Sequence, residues 1–136
     1  MSKRNHVVAT WTGGHAFRGG RPDGVHIDID GDAVKGPGPV DTLLLALASC
    51  TSYDIVEIMA KRRTPVASLD IDVVGDRAPE TPAQLTHIRL AYTMRGAGID
   101  REYAERAIEM SVNRYCSVKE SLNTNIAITW TLDLTT

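Results

Sequence analysis

From Leu43 to Ala48 every position is apolar, and on a 3.6-residue period such a run covers the whole circumference of a helix rather than one stripe. The flanking residues set its start. Pro39 suits a first helical position, Gly38 supplies the turn before it, and Asp41 falls in the first turn, where the helix dipole favours a carboxylate. The pattern predicts a helix from about Pro39 to about Ala60, enclosed on all sides over its apolar part, with Cys50 at the end of that part.

The other segments follow two further patterns. His6 to Trp11 predicts a strand, broken by the glycines around Thr12 to His15 and at Gly19-Gly20. A loop or hairpin is implied there, and beyond it Val25, Ile27 and Ile29 alternate with His26, Asp28 and Asp30, which predicts a third strand with one face buried in a short antiparallel meander. After the central helix, Leu69, Ile71 and Val73 alternate with Asp70 and Asp72, and Ile88, Leu90 and Tyr92 share one parity within Leu85 to Met94. Together these predict a long hairpin around the proline-containing stretch Gly75 to Pro82.

Asp100 is a good N-cap for a second helix from about Arg101 to Ser121, with Ile99 placed to staple against Ala104 and Cys116 on its apolar stripe. Ile126, Ile128, Trp130, Leu132 and Leu134 then mark a final strand.

The order is βββαββαβ, an α+β domain with largely antiparallel sheet spanning residues 1–136. One small domain offers too little cover for a helix that is apolar all round. A homodimer in which the central helices pack together is therefore expected.

Charge and composition narrow the function. A net charge of −2 gives no field for nucleic acid, and the one cationic cluster, Lys61-Arg62-Arg63, falls where cations complement the end of the central helix. No apolar run approaches the roughly 20 residues that span a bilayer, and no hydrophobic segment follows Met1 to His6, so a cytoplasmic protein without a membrane partner is expected. In that compartment thiols stay reduced, and the chain's two cysteines are not a structural staple by default. The four histidines are dispersed and make no metal-ligand spacing, and the glycine clusters lack the phosphate-loop lysine; no metal and no cofactor is expected. A cysteine near a helix end is commonly a small buried hydrophobe. Here both sit on the inner sides of the two main helices, where they meet if the helices pack.

The entry to the central helix, Gly36-Pro-Gly-Pro-Val-Asp-Thr-Leu-Leu-Leu-Ala-Leu-Ala-Ser-Cys50, and the later Tyr115-Cys116-Ser117-Val118 resemble the osmotically inducible protein C and organic hydroperoxide resistance (OsmC/Ohr) family of thiol peroxidases. Cys50-Thr-Ser-Tyr-Asp54-Ile-Val is similar to the subgroup with Cys-x-x-x-Asp on the central helix. The resemblance implies a two-cysteine cycle on organic hydroperoxides. Cys50 matches the thiol that attacks the peroxide and becomes a sulfenic acid, Cys116 matches the thiol that resolves it to a disulfide, and an external dithiol restores both.

A thiolate needs a cation nearby, and the resemblance implies an arginine held by a carboxylate. Arg18 follows a Trp-x-Gly start similar to the family's arginine region, with Arg21 as a competitor, and Asp41 lies near the position of the family's glutamate. On a straight helix Asp41 is about 13 Å along the axis from Cys50. Asp54 and Glu57 are nearer, on the same face as Cys50 one and two turns on, and a bare carboxylate beside a thiol raises the thiol's pKa. The other reading open at this point is a non-catalytic dimer of the same fold that senses oxidants or binds a small apolar ligand.

Overall fold

The structure, a computed structural model, describes residues 3–136. The chain divides into two compact units, the first ending at Leu43 and the second running from Leu44 to Thr136.

The first unit is the antiparallel sheet β1 (Val8–Gly13), β2 (Ala16–Gly20) and β3 (His26–Asp30), in that order. The first strand lies two residues later than predicted at both ends, and Gly13 and Gly14, at φ 122° and 55°, carry the chain through the reversal that follows it, which residues with a Cβ resist. The expectation of a buried face on the third strand does not hold within the chain: Val25 and Ile27 are exposed, as are Trp11 and Phe17. A short sheet supplies a second face but nothing here to cover it.

After β3 the backbone turns around a buried carboxylate. Asp30 accepts the N–H groups of Asp32, Val34 and Lys35 at 2.9, 3.3 and 3.1 Å, and those bonds hold its pKa below the ordinary 3.8. Beside it His15 Nδ1 lies 3.0 Å from both carboxylate oxygens of Asp32, which raises the imidazole pKa above 6.5. The signs are opposite. The Asp30 contribution is present above about pH 4 and is lost as pH falls through its depressed value; the His15 contribution is present below about pH 6.5 and is lost as pH rises through its raised value. Amide hydrogen exchange at Asp32, Val34 and Lys35, corrected for intrinsic rates, is expected to show greatest protection between those limits. Flat protection from pH 3 to 8 would refute the assignment.

The second unit is built on the sheet β4 (Ser68–Arg77), β5 (Leu85–Arg95) and β6 (Ala127–Thr135), with β5 in the centre. β4 and β5 form the predicted antiparallel hairpin, in register from Ser68 opposite Arg95 to Arg77 opposite Leu85. β6 lies parallel to β5, so the largely antiparallel architecture carries one parallel pair. A parallel neighbour requires a crossover, and the second helical region is that crossover. The period-two pattern decides which face is inside: Ile88, Leu90, Tyr92 and Met94 of β5 are buried and alternate with less buried neighbours.

α1 (Pro39–Lys61) starts at the proline that the sequence singled out. Leu47, Ala48, Thr51, Ile55 and Met59 form its buried side. Gly75 lets the helix approach β4, since a Cβ there would meet Leu85 Cδ2 at 2.8 Å and Leu44 Cδ1 at 3.1 Å. The helix is not enclosed on all sides within the chain: Leu45, Tyr53 and Val56 are 56, 68 and 45 % exposed. One three-stranded sheet covers one side of a helix.

By length and composition alone, α1 is also the one helix among the described residues long and apolar enough to cross a membrane. Counting unbroken apolar runs missed this, because serines, threonines and a cysteine dilute the run without making the helix polar. With Asp54 and Glu57 within it and a packed buried side, it serves as the core helix of the second unit.

The predicted long second helix is interrupted. α2 (Arg101–Met110) passes into a π turn, Ser111–Tyr115, then Cys116 in extended conformation (φ −74°, ψ 107°), then the short α3 (Ser117–Glu120). Serine, asparagine and tyrosine between Ser111 and Ser117 are weaker helix formers than the residues of α2, and the wider turn appears where they cluster. Asp100 occupies the N-cap position of α2 with extended backbone, but its side chain makes no capping bond.

Candidate functional site

Cys50 and Cys116 are both free, Cys50 half-buried on α1 and Cys116 buried at the break after the π turn. The two thiols lie close enough for Cys50 to contribute to the raised pKa of Cys116. The meeting has a local cause on each side. Cys50 falls on the flank of α1, between its buried side and its exposed apolar side. Cys116 is placed by its own backbone, whose N–H donates to the Ser111 carbonyl at 3.0 Å across the π turn. Its sulfur then caps α3, accepting the Lys119 N–H at 3.3 Å.

Burial pushes the Cys116 thiol up to about 11; the Lys119 N–H partly offsets this, and the neighbouring Cys50 raises it further. At neutral pH Cys116 therefore keeps its proton, and Cys50 is the sulfur that faces out of the core.

Beneath the pair lies a buried hydroxyl couple that the sequence reading did not single out. Thr51 Oγ1 donates to the Ala48 carbonyl at 3.1 Å, which leaves the Tyr92 hydroxyl as donor in the 2.7 Å bond between Tyr92 and Thr51. Desolvation raises the tyrosine to about 12; the Thr51 bond lowers it and the nearby Cys116 raises it. The signal in the sequence was a tyrosine on the buried parity of β5, since a buried phenol needs a partner.

Arg18 and Asp41 belong to the first unit, and each has its own partner there. Arg18 Nε donates to Asp28 Oδ1 at 3.1 Å across the β2–β3 pair, where the two residues are directly opposite. Asp41 accepts the Gly38 N–H at 2.9 Å at the start of α1. The carboxylate that holds Arg18 is thus Asp28, which sequence reasoning passed over as a polar position on an alternating strand. Arg21 gives its carbonyl to the His26 ring at 2.9 Å. Among the described residues no three His, Cys, Asp or Glu side chains gather as a metal site.

The fold and the site define a class: a small α+β protein holding two reduced thiols close together where the core helix meets a helix break. The chain belongs to the OsmC family, whose profile, described as OsmC-like protein, matches residues 30–131. It is 32 % identical over 120 residues to Protein YhfA of Escherichia coli K12, covering 88 % of this chain and 90 % of YhfA. Among solved structures, an OsmC-like protein from Mycoplasma pneumoniae superposes with a TM-score of 0.85 over all of both chains at 19 % identity. The organic hydroperoxide resistance protein OhrB of Bacillus subtilis superposes with a TM-score of 0.63 over 94 % of this chain and 96 % of its own, at 17 % identity. The fold is that of OsmC-like proteins.

Proposed function

We propose that the protein is a cytoplasmic thiol-dependent peroxidase that reduces organic hydroperoxides through Cys50 and Cys116. The observation that carries this reading is the proximity of one half-buried and one buried free thiol, the first contributing to the raised pKa of the second. The Cys50 thiolate attacks the peroxide, an S–O bond forms as the O–O bond breaks, and the alcohol leaves with a proton. The sulfenic acid on Cys50 then condenses with the Cys116 thiol, water leaves, and the disulfide forms. An external dithiol supplies the two electrons that restore both thiols. The shared fold with a protein named for organic hydroperoxide resistance supports the reading.

The test is one equivalent of alkyl hydroperoxide, followed by intact mass and a thiol count. The expected result is loss of two hydrogens and of both thiols, reversed by a dithiol. Two free thiols after treatment would sink the proposal and leave the oxidant-sensing or apolar-ligand reading of the same fold.

Two further parts belong to the proposal. Arg18, braced by Asp28, is the activating arginine of the thiol cycle, and Asp41 fixes the start of the helix that carries Cys50. Arg18→Ala is expected to slow the alkylation of Cys50 at neutral pH and its oxidation by hydroperoxide, with the fold intact because the side chain is exposed. An unchanged alkylation profile would remove Arg18 from the site and turn attention to Arg21. The working form is a homodimer joined through the exposed apolar side of α1.

A further inference from the structure

The segment that carries Cys116 is held from outside by side chains that the thiol cycle does not use. Glu109, in the last turn of α2, accepts two hydrogen bonds, one on each carboxylate oxygen. Asn113 Nδ2 on the π turn donates to Oε1 at 2.6 Å, and Trp130 Nε1 on β6 donates to Oε2 at 3.0 Å. Lys119 Nζ on α3 donates to Asn113 Oδ1 at 3.4 Å. The line of bonds starts on the sheet, crosses the π turn and ends on α3, so it bridges the break on both sides of Cys116. Bonds to an ionised carboxylate are the stronger kind. The break needs such an anchor. Ser111, which opens the π turn, buries its hydroxyl without a hydrogen-bond partner among the described residues, an unfavourable arrangement. Asn113, Arg114 and Tyr115 are exposed and do little to pin the turn by burial. A regular α turn would not accommodate the extra residue of the π turn, and Cys116 would move about 100° round the helix axis, off the side that faces Cys50.

We propose that Glu109 and Asn113 are positioning residues for the resolving step, keeping the π turn in place so that Cys116 stays beside Cys50. This rests on the peroxidase reading above. In that step the Cys116 sulfur attacks the sulfenic sulfur of Cys50, the S–S bond forms as the S–O bond breaks, and the oxygen leaves as water with the thiol proton. The competing reaction is attack of the sulfenic acid on a second hydroperoxide, which transfers an oxygen to give the sulfinic acid and releases the alcohol. A displaced Cys116 slows the first reaction and leaves the second untouched. The bonds of Glu109 and Asn113 go to Trp130, to Lys119 and to each other. The first attack by Cys50 therefore does not depend on them.

The test treats the reduced protein with graded tert-butyl hydroperoxide, without reductant, and reads by intact mass the peroxide concentration at which half of Cys50 ends as the sulfinic acid rather than the disulfide. Glu109→Ala and Asn113→Ala are each expected to lower that concentration by about tenfold, the scale on which a misplaced reacting group slows a step. The rate at which the first equivalent is consumed should stay within about twofold of the parent. Because the bonds form one line, the double substitution should match either single one within about twofold. Glu109→Gln, which keeps an acceptor for the indole N–H and a polar group for Asn113, should restore most of the parent value. An unchanged half-point in both single variants, a parallel loss of the first step, effects that multiply in the double variant, or a Glu109→Gln as impaired as Glu109→Ala would each overturn the proposal. The same variants are also oxidised with diamide, which forms an adduct on the exposed thiol that the second thiol then displaces. If hydroperoxide oxidises neither thiol of the parent, the peroxidase reading fails, and the lifetime of the diamide adduct still tests the positioning. A lifetime lengthened about tenfold by each alanine supports it; equal lifetimes, or no disulfide from diamide, sink it.

Discussion

Replacing Cys50 by serine is expected to abolish the reaction with hydroperoxide, while replacing Cys116 by serine should leave its first step nearly intact. In the proposed cycle the two residues act in sequence, so their removal should leave different products. Without Cys50 the remaining sulfur is buried, and that burial, the largest cause of its raised pKa, still disfavours the thiolate at neutral pH. Cys50→Ser should therefore consume no peroxide above the uncatalysed rate and retain one reduced thiol. Without Cys116 the sulfenic acid on Cys50 has no partner. Cys116→Ser should consume about one equivalent rapidly, then gain a second oxygen as the sulfinic acid when peroxide is in excess. Stopped-flow consumption of an alkyl hydroperoxide and intact mass read both outcomes. Two variants that oxidise alike, at whatever rate, would show that the thiols are not a catalytic pair.

The second large effect concerns assembly. Leu45→Asp together with Val56→Asp is expected to leave a folded protein that no longer dimerises. Both side chains are exposed in the single chain and contribute nothing to its core. In a symmetric interface each substitution occurs twice. Burying a leucine or valine contributes about 1.5–3 kcal/mol, and a carboxylate in the same place costs several kcal/mol more. At about 1.4 kcal/mol per tenfold, association should weaken by about four orders of magnitude or more. Light scattering at micromolar concentration distinguishes the cases, with circular dichroism confirming the fold. A dimer mass that survives both substitutions would move the interface elsewhere, and a monomeric parent protein would sink the proposal outright.

Much of this was legible because it is local. Pro39, Gly38 and Asp41 announce the start of α1 within four residues, and the alternation of Ile88, Leu90 and Tyr92 states which face of β5 is buried. The two cysteines were visible as candidates from their helix faces. What stayed hidden depends on residues far apart in the chain or on backbone choices that side chains only bias. Nothing in Ala127 to Thr135 says that its neighbour β5 runs parallel. The partner of Arg18 is decided by strand register, which puts Asp28 opposite it and leaves Asp41 to the helix start. The interruption at Cys116 was missed because the apolar positions from Tyr103 to Leu122 were read on one unbroken 3.6-residue period.

That wider turn bears on how relatives of this chain should be compared. A π turn holds one residue more than the α turn it replaces, so a chain with one residue fewer between Met110 and Cys116 can deliver a thiol to the same place on regular helix. The number of residues between two thiols therefore need not fix their separation, and a single-residue deletion in that segment is expected to be taken up by loss of the π turn. The same gap inside α1 would rotate every later side chain by about 100°, carrying Cys50 or Ile55 off its face. Insertions and deletions should accumulate on one side of the thiol pair and be purged from the other.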